Sequence, residues 1–201
     1  MTRFVLASAS PARLATLRAA GLDPEVVVSG IDEAAITAPD TPSLVVALAL
    51  AKASAAARST PGSTVVLGCD SLLELDGRAF GKPLSAADAT ACWRRMAGRS
   101  GVLYTGHTLL HIIDGAIVGT QSSAAATTVH FAAITDAELS AYVASGEPLA
   151  VAGAFTIDGL GGWFVDSLEG DHHNVAGVSL PLLRQLLGKL GLSVVDFWAA
   201  R

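Results

Sequence analysis

The chain has 201 residues, enough for one ordinary domain or for one domain with two lobes around a cleft. Hydrophobic residues make up 51% and charged residues 15%, which supplies a sizeable core and excludes a disordered chain. A formal net charge of −5 excludes nucleic acid as the main partner, although a small anion needs only a local cluster of Lys and Arg.

Phe4–Ala7 reads as a buried first strand, and Ser8–Pro11 as a tight connection. That apolar run is shorter than the roughly 7–15 residues of a signal-peptide core. Ser10 caps a helix with Pro11 at its first position, running to Gly21. A polar loop from Ser29 to Pro42 leads into a long helix over 43–59. Its apolar stretch Val45–Ala51 stops at Lys52, far short of the roughly 20 residues that span a bilayer. Val65–Cys69 reads as a short strand, and Asp76-Gly77 as a hairpin turn before Gly81-Lys82-Pro83.

Ser85 opens a helix that ends at Gly98. Two strand-like stretches follow, 102–113 and 116–131, joined at Asp114-Gly115. Thr135 and Glu138 have the spacing of a capping box for a helix ending near Gly146. The stretch 154–165 reads as a Gly-broken strand pair, and 180–190 as a final amphipathic helix. Helices alternate with strands and antiparallel hairpins sit in the middle, so the expected class is α/β with a mixed, largely antiparallel-centred sheet and flanking helices. Cys69 and Cys92 lack metal-ligand spacing and read as a reduced, buried pair in a soluble, cytoplasmic protein.

The informative positions are polar residues that interrupt apolar elements. Arg13 sits in the first turn of a helix whose N-terminus presents free backbone N–H groups, with Ser8 and Ser10 adding hydroxyls. That arrangement suits a phosphate. The competing reading makes Ser10 a plain cap and Arg13 a solvated helix residue. Asp70 follows an apolar strand at its C-terminal end, where it can bind a metal, deprotonate water or cap a turn. Glu33 offers a second carboxylate in a loop. With Lys52 and Lys82, the two carboxylates would form an oxygen-rich, magnesium-like site beside cations for a polyphosphate. Lys52 could equally be a snorkelling surface lysine. Gly81-Lys82-Pro83 is not a P-loop, because Gly77 stands one residue too close and Pro83 replaces the metal-binding hydroxyl.

These residues resemble the Maf nucleotide pyrophosphatases. The family's opening signature stands here as Leu6-Ala7-Ser8-Ala9-Ser10-Pro11-Ala12-Arg13. Its Asp-Glu loop matches Asp32-Glu33, and its helix motif matches Leu48-Ala49-Leu50-Ala51-Lys52-Ala53. Gly68-Cys69-Asp70, Gly81-Lys82-Pro83, Tyr104-Thr105-Gly106, Ala152-Gly153-Ala154-Phe155 and Gly170-Asp171 with Asn174 follow in order. The resemblance implies one domain over 1–201 with a fold like that of inosine triphosphate pyrophosphatases, a nucleotide in a cleft between two lobes, and a homodimer. It implies Asp70 as general base, Glu33 and Asp70 at a divalent metal (Mg2+ or Mn2+), and Arg13, Lys52 and Lys82 on the triphosphate of a nucleoside triphosphate substrate.

Three departures fall where members differ with their preferred base: Ala12 for an Arg, Ser71 for a Thr, and Asp158 for the Gln of the dTTP/UTP branch. A carboxylate at 158 can accept N–H hydrogens of a guanine-type base, so Asp158 points away from strict pyrimidine selectivity. A turn residue in Asp158-Gly159 is the competing reading. An esterase built on Ser71 would need an Asp-x-x-His pair, which the five histidines do not provide. A metal site on Asp171-His172-His173 is disfavoured, since adjacent strand residues point to opposite faces. A nucleotide-sensing binding protein in cell-division control is the non-enzymatic alternative.

Overall fold

The computed structural model describes residues 2–198. Its strands are β1 (Arg3–Leu6), β2 (Glu25–Val26), β3 (Thr64–Leu75), β4 (Arg78–Phe80), β5 (Ser100–Ile113), β6 (Ala116–Phe131) and β7 (Val165–Glu169). Its α-helices are α1 (Pro11–Ala19), α2 (Thr41–Ala57), α3 (Ala86–Met96), α4 (Asp136–Ala144), α5 (His172–Ala176) and α6 (Leu180–Lys189). The strand order is β2-β1-β3-β5-β6-β7, with β4 on β3. β1 runs parallel to β2 and β3, whereas β3–β4 and β6–β7 are antiparallel. The expected mixed-sheet α/β class is therefore what the chain adopts.

Local signals explain most of these boundaries. Ser10, Asp40, Ser85, Thr135 and Ser179 each accept a backbone N–H of the first turn of α1, α2, α3, α4 and α6, filling one of the orphan donors of a helix start. Capped by Asp40, α2 starts at Thr41, two residues before the expected Ser43, because Pro42 fits the first turn without needing an N–H. Asp76-Gly77 and Asp114-Gly115 both have positive φ at each residue, the backbone of a two-residue hairpin turn.

Two expectations are corrected. β3 does not end at Cys69: it continues through Asp70 to Leu75, so Asp70 lies inside a strand. Past Asp70 the chain keeps alternating, with Leu73 and Leu75 buried, and pairs with β4 through Leu73↔Phe80. The stretch 154–165 is not a strand pair. It contains 3-10 turns at Ala152–Ala154 and Leu160–Phe164, and only Val165 begins a strand. A side chain at Gly159, Gly161 or Gly162 would come within 2.4, 2.5 and 2.6 Å of neighbouring atoms, so the glycines serve close approach rather than sheet bending.

Chain contacts divide into two compact units. One holds the residues up to Asp70, Thr105–Ala125 and those from Gly177 on; the other holds Ser71–Tyr104 and Ala126–Ala176. In the first unit, β1 and β3 bury both faces, as a parallel sheet covered by helices must. Phe4, Leu6, Val65, Leu67 and Cys69 pack with Leu17, Leu183, Leu186 and Leu187 of α1 and α6. Val5, Ala7 and Val66 pack with Ala53 and Ala56 of α2. The second unit closes around Trp93, which meets Phe131, Tyr142 and Phe164 edge-on and donates its indole N–H to the Ala154 carbonyl at 2.7 Å.

Candidate active site

The period-2 alternation of β3 puts Val66, Gly68 and Asp70 on the face covered by α2. On α2, Val45, Leu48, Ala49, Lys52, Ala53 and Ala56 form the buried stripe at helical spacing. The helix lies directly on the strand backbone: a Cβ at Gly68 would come within 2.1 Å of the Ala49 carbonyl oxygen and 2.8 Å of the Ala53 nitrogen. A Cβ at Gly106 in β5 would come equally close, 2.1 Å, to the Val45 carbonyl oxygen. These two glycines let α2 settle low enough for Lys52 to meet Asp70.

Lys52 is 9% exposed and Asp70 is 7% exposed. The Lys52 Nζ lies 2.5 Å from Asp70 Oδ1 and 2.7 Å from Glu33 Oε1. One buried ammonium thus joins a carboxylate inside a strand to a half-exposed carboxylate on a loop. Glu33 is presented by a 3-10 turn, Glu33–Ala35, whose start is capped by Asp32 accepting the Ala34 N–H. Lys52 is not a snorkelling surface lysine, because its head group, not only its stem, is inside.

Ser8 and Arg13 form the second cluster of this unit. Ser8 follows β1, whose end is tied to β3 by the Ala7 N–H to Leu67 carbonyl bond. Arg13 is 8% exposed rather than solvated, and its Nη1 donates to Ser8 Oγ at 2.9 Å while its Nε donates to the Gly177 carbonyl at 2.7 Å. Ser10 caps α1 and donates its own N–H to Ser8 Oγ. The two clusters share one environment. Burial pushes the Cys69 thiol up to about 12, with Arg13 and Lys52 pulling down and Asp70 pushing up, so all three charges act at the same thiol.

Of the remaining candidates, Ser71, Lys82 and Asp158 belong to the second unit and Ala12 to the first. Lys82 is exposed in the loop after β4, where the Gly81 carbonyl accepts the Gly153 N–H. That loop borders a depression of about 250 Å³ also lined by Phe80, Leu84, Cys92 and Ala154. Ser71 is the residue after Asp70 in β3, and Ala12 is half-buried in α1. Asp158 is exposed, its N–H donates to Thr156 Oγ1, and its carboxylate lies 3.6 Å from His172 Nε2. His172 and His173 stand on α5 rather than on a strand; His173 Nδ1 lies 3.5 Å from its own neighbour Asp171. Both cysteines are free and buried, as expected.

Two residues went unnoticed in the sequence. Glu147 accepts the Leu160 and Gly161 N–H groups, each at 2.9 Å, and so holds the loop that carries Asp158. His107 is fully buried in β5. Its signal was a histidine within a run of otherwise buried strand residues, right after Tyr104-Thr105-Gly106.

No group of three or more His, Cys, Asp or Glu side chains able to hold a metal occurs among the described residues. Glu33 and Asp70 nevertheless converge on one point, the Lys52 ammonium. Two hard carboxylates fit a magnesium-like ion that completes its shell with substrate phosphates and water. Among the described residues no helix is long and apolar enough to cross a membrane.

The chain is 53% identical to a nucleoside triphosphate pyrophosphatase of Mycolicibacterium gilvum, over 98% of this chain and 99% of that protein. It is 56% identical to one of Streptomyces coelicolor, over 98% of this chain and 95% of that protein. A solved nucleoside-triphosphatase / dITP/XTP pyrophosphatase of Mycobacterium abscessus aligns over 66% of this chain and 76% of that one, at 20% identity and a TM-score of 0.39. The family model described as Maf-like protein matches residues 3–190, which with the full-length identities makes this chain a member of the Maf family.

Proposed function

We propose that the chain hydrolyses a nucleoside triphosphate to the monophosphate and pyrophosphate, with Asp70 as the base. The observation that carries this reading is the buried Lys52 joining Asp70 and Glu33, beside a buried Arg13, in a chain whose full-length relatives bear that activity's name. Asp70 takes a proton from water as the water oxygen bonds to the α-phosphorus, and the bond from that phosphorus to the bridging oxygen breaks. The bond's electrons leave on pyrophosphate. Arg13, Lys52 and Lys82 bind the triphosphate and offset the charge that grows on the leaving oxygens, so catalysis is chiefly positioning and electrostatic. Ser8 and Ser10 complete the phosphate loop. Glu33 and Asp70 would hold a divalent cation (Mg2+ or Mn2+), which when bound neutralises phosphate oxygens and acidifies water.

Asp158, with Ala12 and Ser71, is proposed to set the base, favouring guanine-like over strictly pyrimidine substrates. We propose a cytoplasmic enzyme, and a homodimer as the resemblance implies. The test is pyrophosphate release from a panel of canonical and modified nucleotides, with magnesium, manganese or EDTA. Metal-dependent, equimolar monophosphate and pyrophosphate, reduced roughly 1,000-fold in folded Asp70→Asn, is the expected result. Near-normal turnover by that variant removes Asp70 from the role. An unchanged substrate ranking in Asp158→Gln removes Asp158 from base selection.

A further inference from the structure

The acceptors that hold Arg13 include Ser8 Oγ and the Gly177 carbonyl, and the segment carrying Gly177 is itself fixed from a distant strand. Its Nε donates to the carbonyl of Gly177, a residue at φ +110 where a Cβ would stand 3.1 Å from that same Nε and 3.2 Å from Arg13 Cγ. Only glycine lets the carbonyl and the guanidinium meet without strain. Two residues on, the Ser179 N–H donates to His107 Nε2 at 2.8 Å. A nitrogen that accepts carries no proton, so the His107 proton sits on Nδ1 and is donated to the Thr105 carbonyl at 3.0 Å. His107, Thr105, Ser179 and Gly177 all belong to the same unit as Arg13 and Ser8. The imidazole, with no exposure to solvent, thus ties β5 to the segment 177–179.

We propose that His107 is a positioning residue for the reaction: through Ser179 and Gly177 it fixes the Arg13 guanidinium that binds phosphate. The proposal rests on the phosphate-binding role given to Arg13 above. A guanidinium tied at Nε and Nη1 is oriented before substrate arrives, and misplacing such a group costs turnover more than it costs ground-state binding.

The test is a double-mutant cycle of His107→Leu with Arg13→Ala, read as kcat and KM for pyrophosphate release, with His107→Gln as the conservative variant. The Gln amide oxygen can stand where Nε2 stands and accept the Ser179 N–H. Arg13→Ala is expected to lose roughly 100-fold in kcat. His107→Leu is expected to lose roughly tenfold in kcat with KM changed by less than about twofold. His107→Gln should stay within about threefold of the native enzyme, and the His107→Leu effect should vanish once Arg13 is Ala. Should His107→Leu fail to fold by circular dichroism, His107→Asn, whose shorter amide cannot place an acceptor where Nε2 stands, takes its place in the cycle with the same expectation. The same loss with and without Arg13, or a Gln variant as impaired as Leu, overturns the positioning role. Native turnover in Arg13→Ala instead overturns the phosphate role of Arg13, and the purpose of the brace with it.

Discussion

Lys52 and Asp70 are each below a tenth exposed, so their charges are withdrawn from most of the solvent and depend on each other. Removing Lys52 leaves the Asp70 carboxylate buried without its ammonium. Lys52→Met is therefore expected to destabilise the fold by about 3 kcal/mol in urea unfolding, as well as to abolish pyrophosphate release. Gaining stability from Lys52→Met would show that the pair is maintained at a net cost. Cys69 gives a second residue-scale test. Its thiol is raised from 9.0 to about 12 by burial, and that of Cys92 to about 11. Neither thiol should react with iodoacetamide at pH 8 until the protein unfolds. Because both folded values lie above the unfolded one, their contribution to stability is intact below pH 9 and declines as pH rises from there towards 11–12. Melting temperatures measured across that window should fall.

At the scale of elements, α2 packs directly on the backbones of β3 and β5 at Gly68 and Gly106. Both added Cβ atoms would meet backbone, which cannot swing aside as a side-chain tip can. Gly68→Ala is expected to cost at least about 1–3 kcal/mol by thermal or urea unfolding and to reduce turnover, since lifting α2 moves Lys52 away from Asp70. Undiminished stability would mean that the helix settles elsewhere at no cost. In the second unit, Trp93→Ala removes a fully buried indole and the hydrogen bond to Ala154, and should cost about 3–5 kcal/mol. Element signals differed in legibility. Caps at Ser10, Ser85 and Thr135, and turns at Asp76-Gly77 and Asp114-Gly115, were readable because each is a local bargain between one side chain and nearby backbone. The stretch 154–165 was misread because Glu147 and Tyr142, far away in sequence, decide its path around Gly159 and Gly161.

At the scale of the whole molecule, the proposed homodimer predicts a solution mass of two 20.4 kDa chains by light scattering, and a single-chain mass would exclude it. The mixed-sheet α/β class and the in-order motifs of the Maf family were present in the sequence, as were Arg13, Lys52 and Asp70 as polar residues beside or within apolar elements and Glu33 as a loop carboxylate. Only the tertiary structure decided the rest: that Lys52 pairs with both carboxylates, that β3 runs on through Asp70, and that Gly177 and Ser8 hold Arg13 while His107 holds Ser179. The physical reason is range. Caps, turns and alternation are set by neighbours a few residues apart, whereas Lys52 meets Asp70 across 18 residues and Arg13 meets Gly177 across 164, after close packing has brought them together.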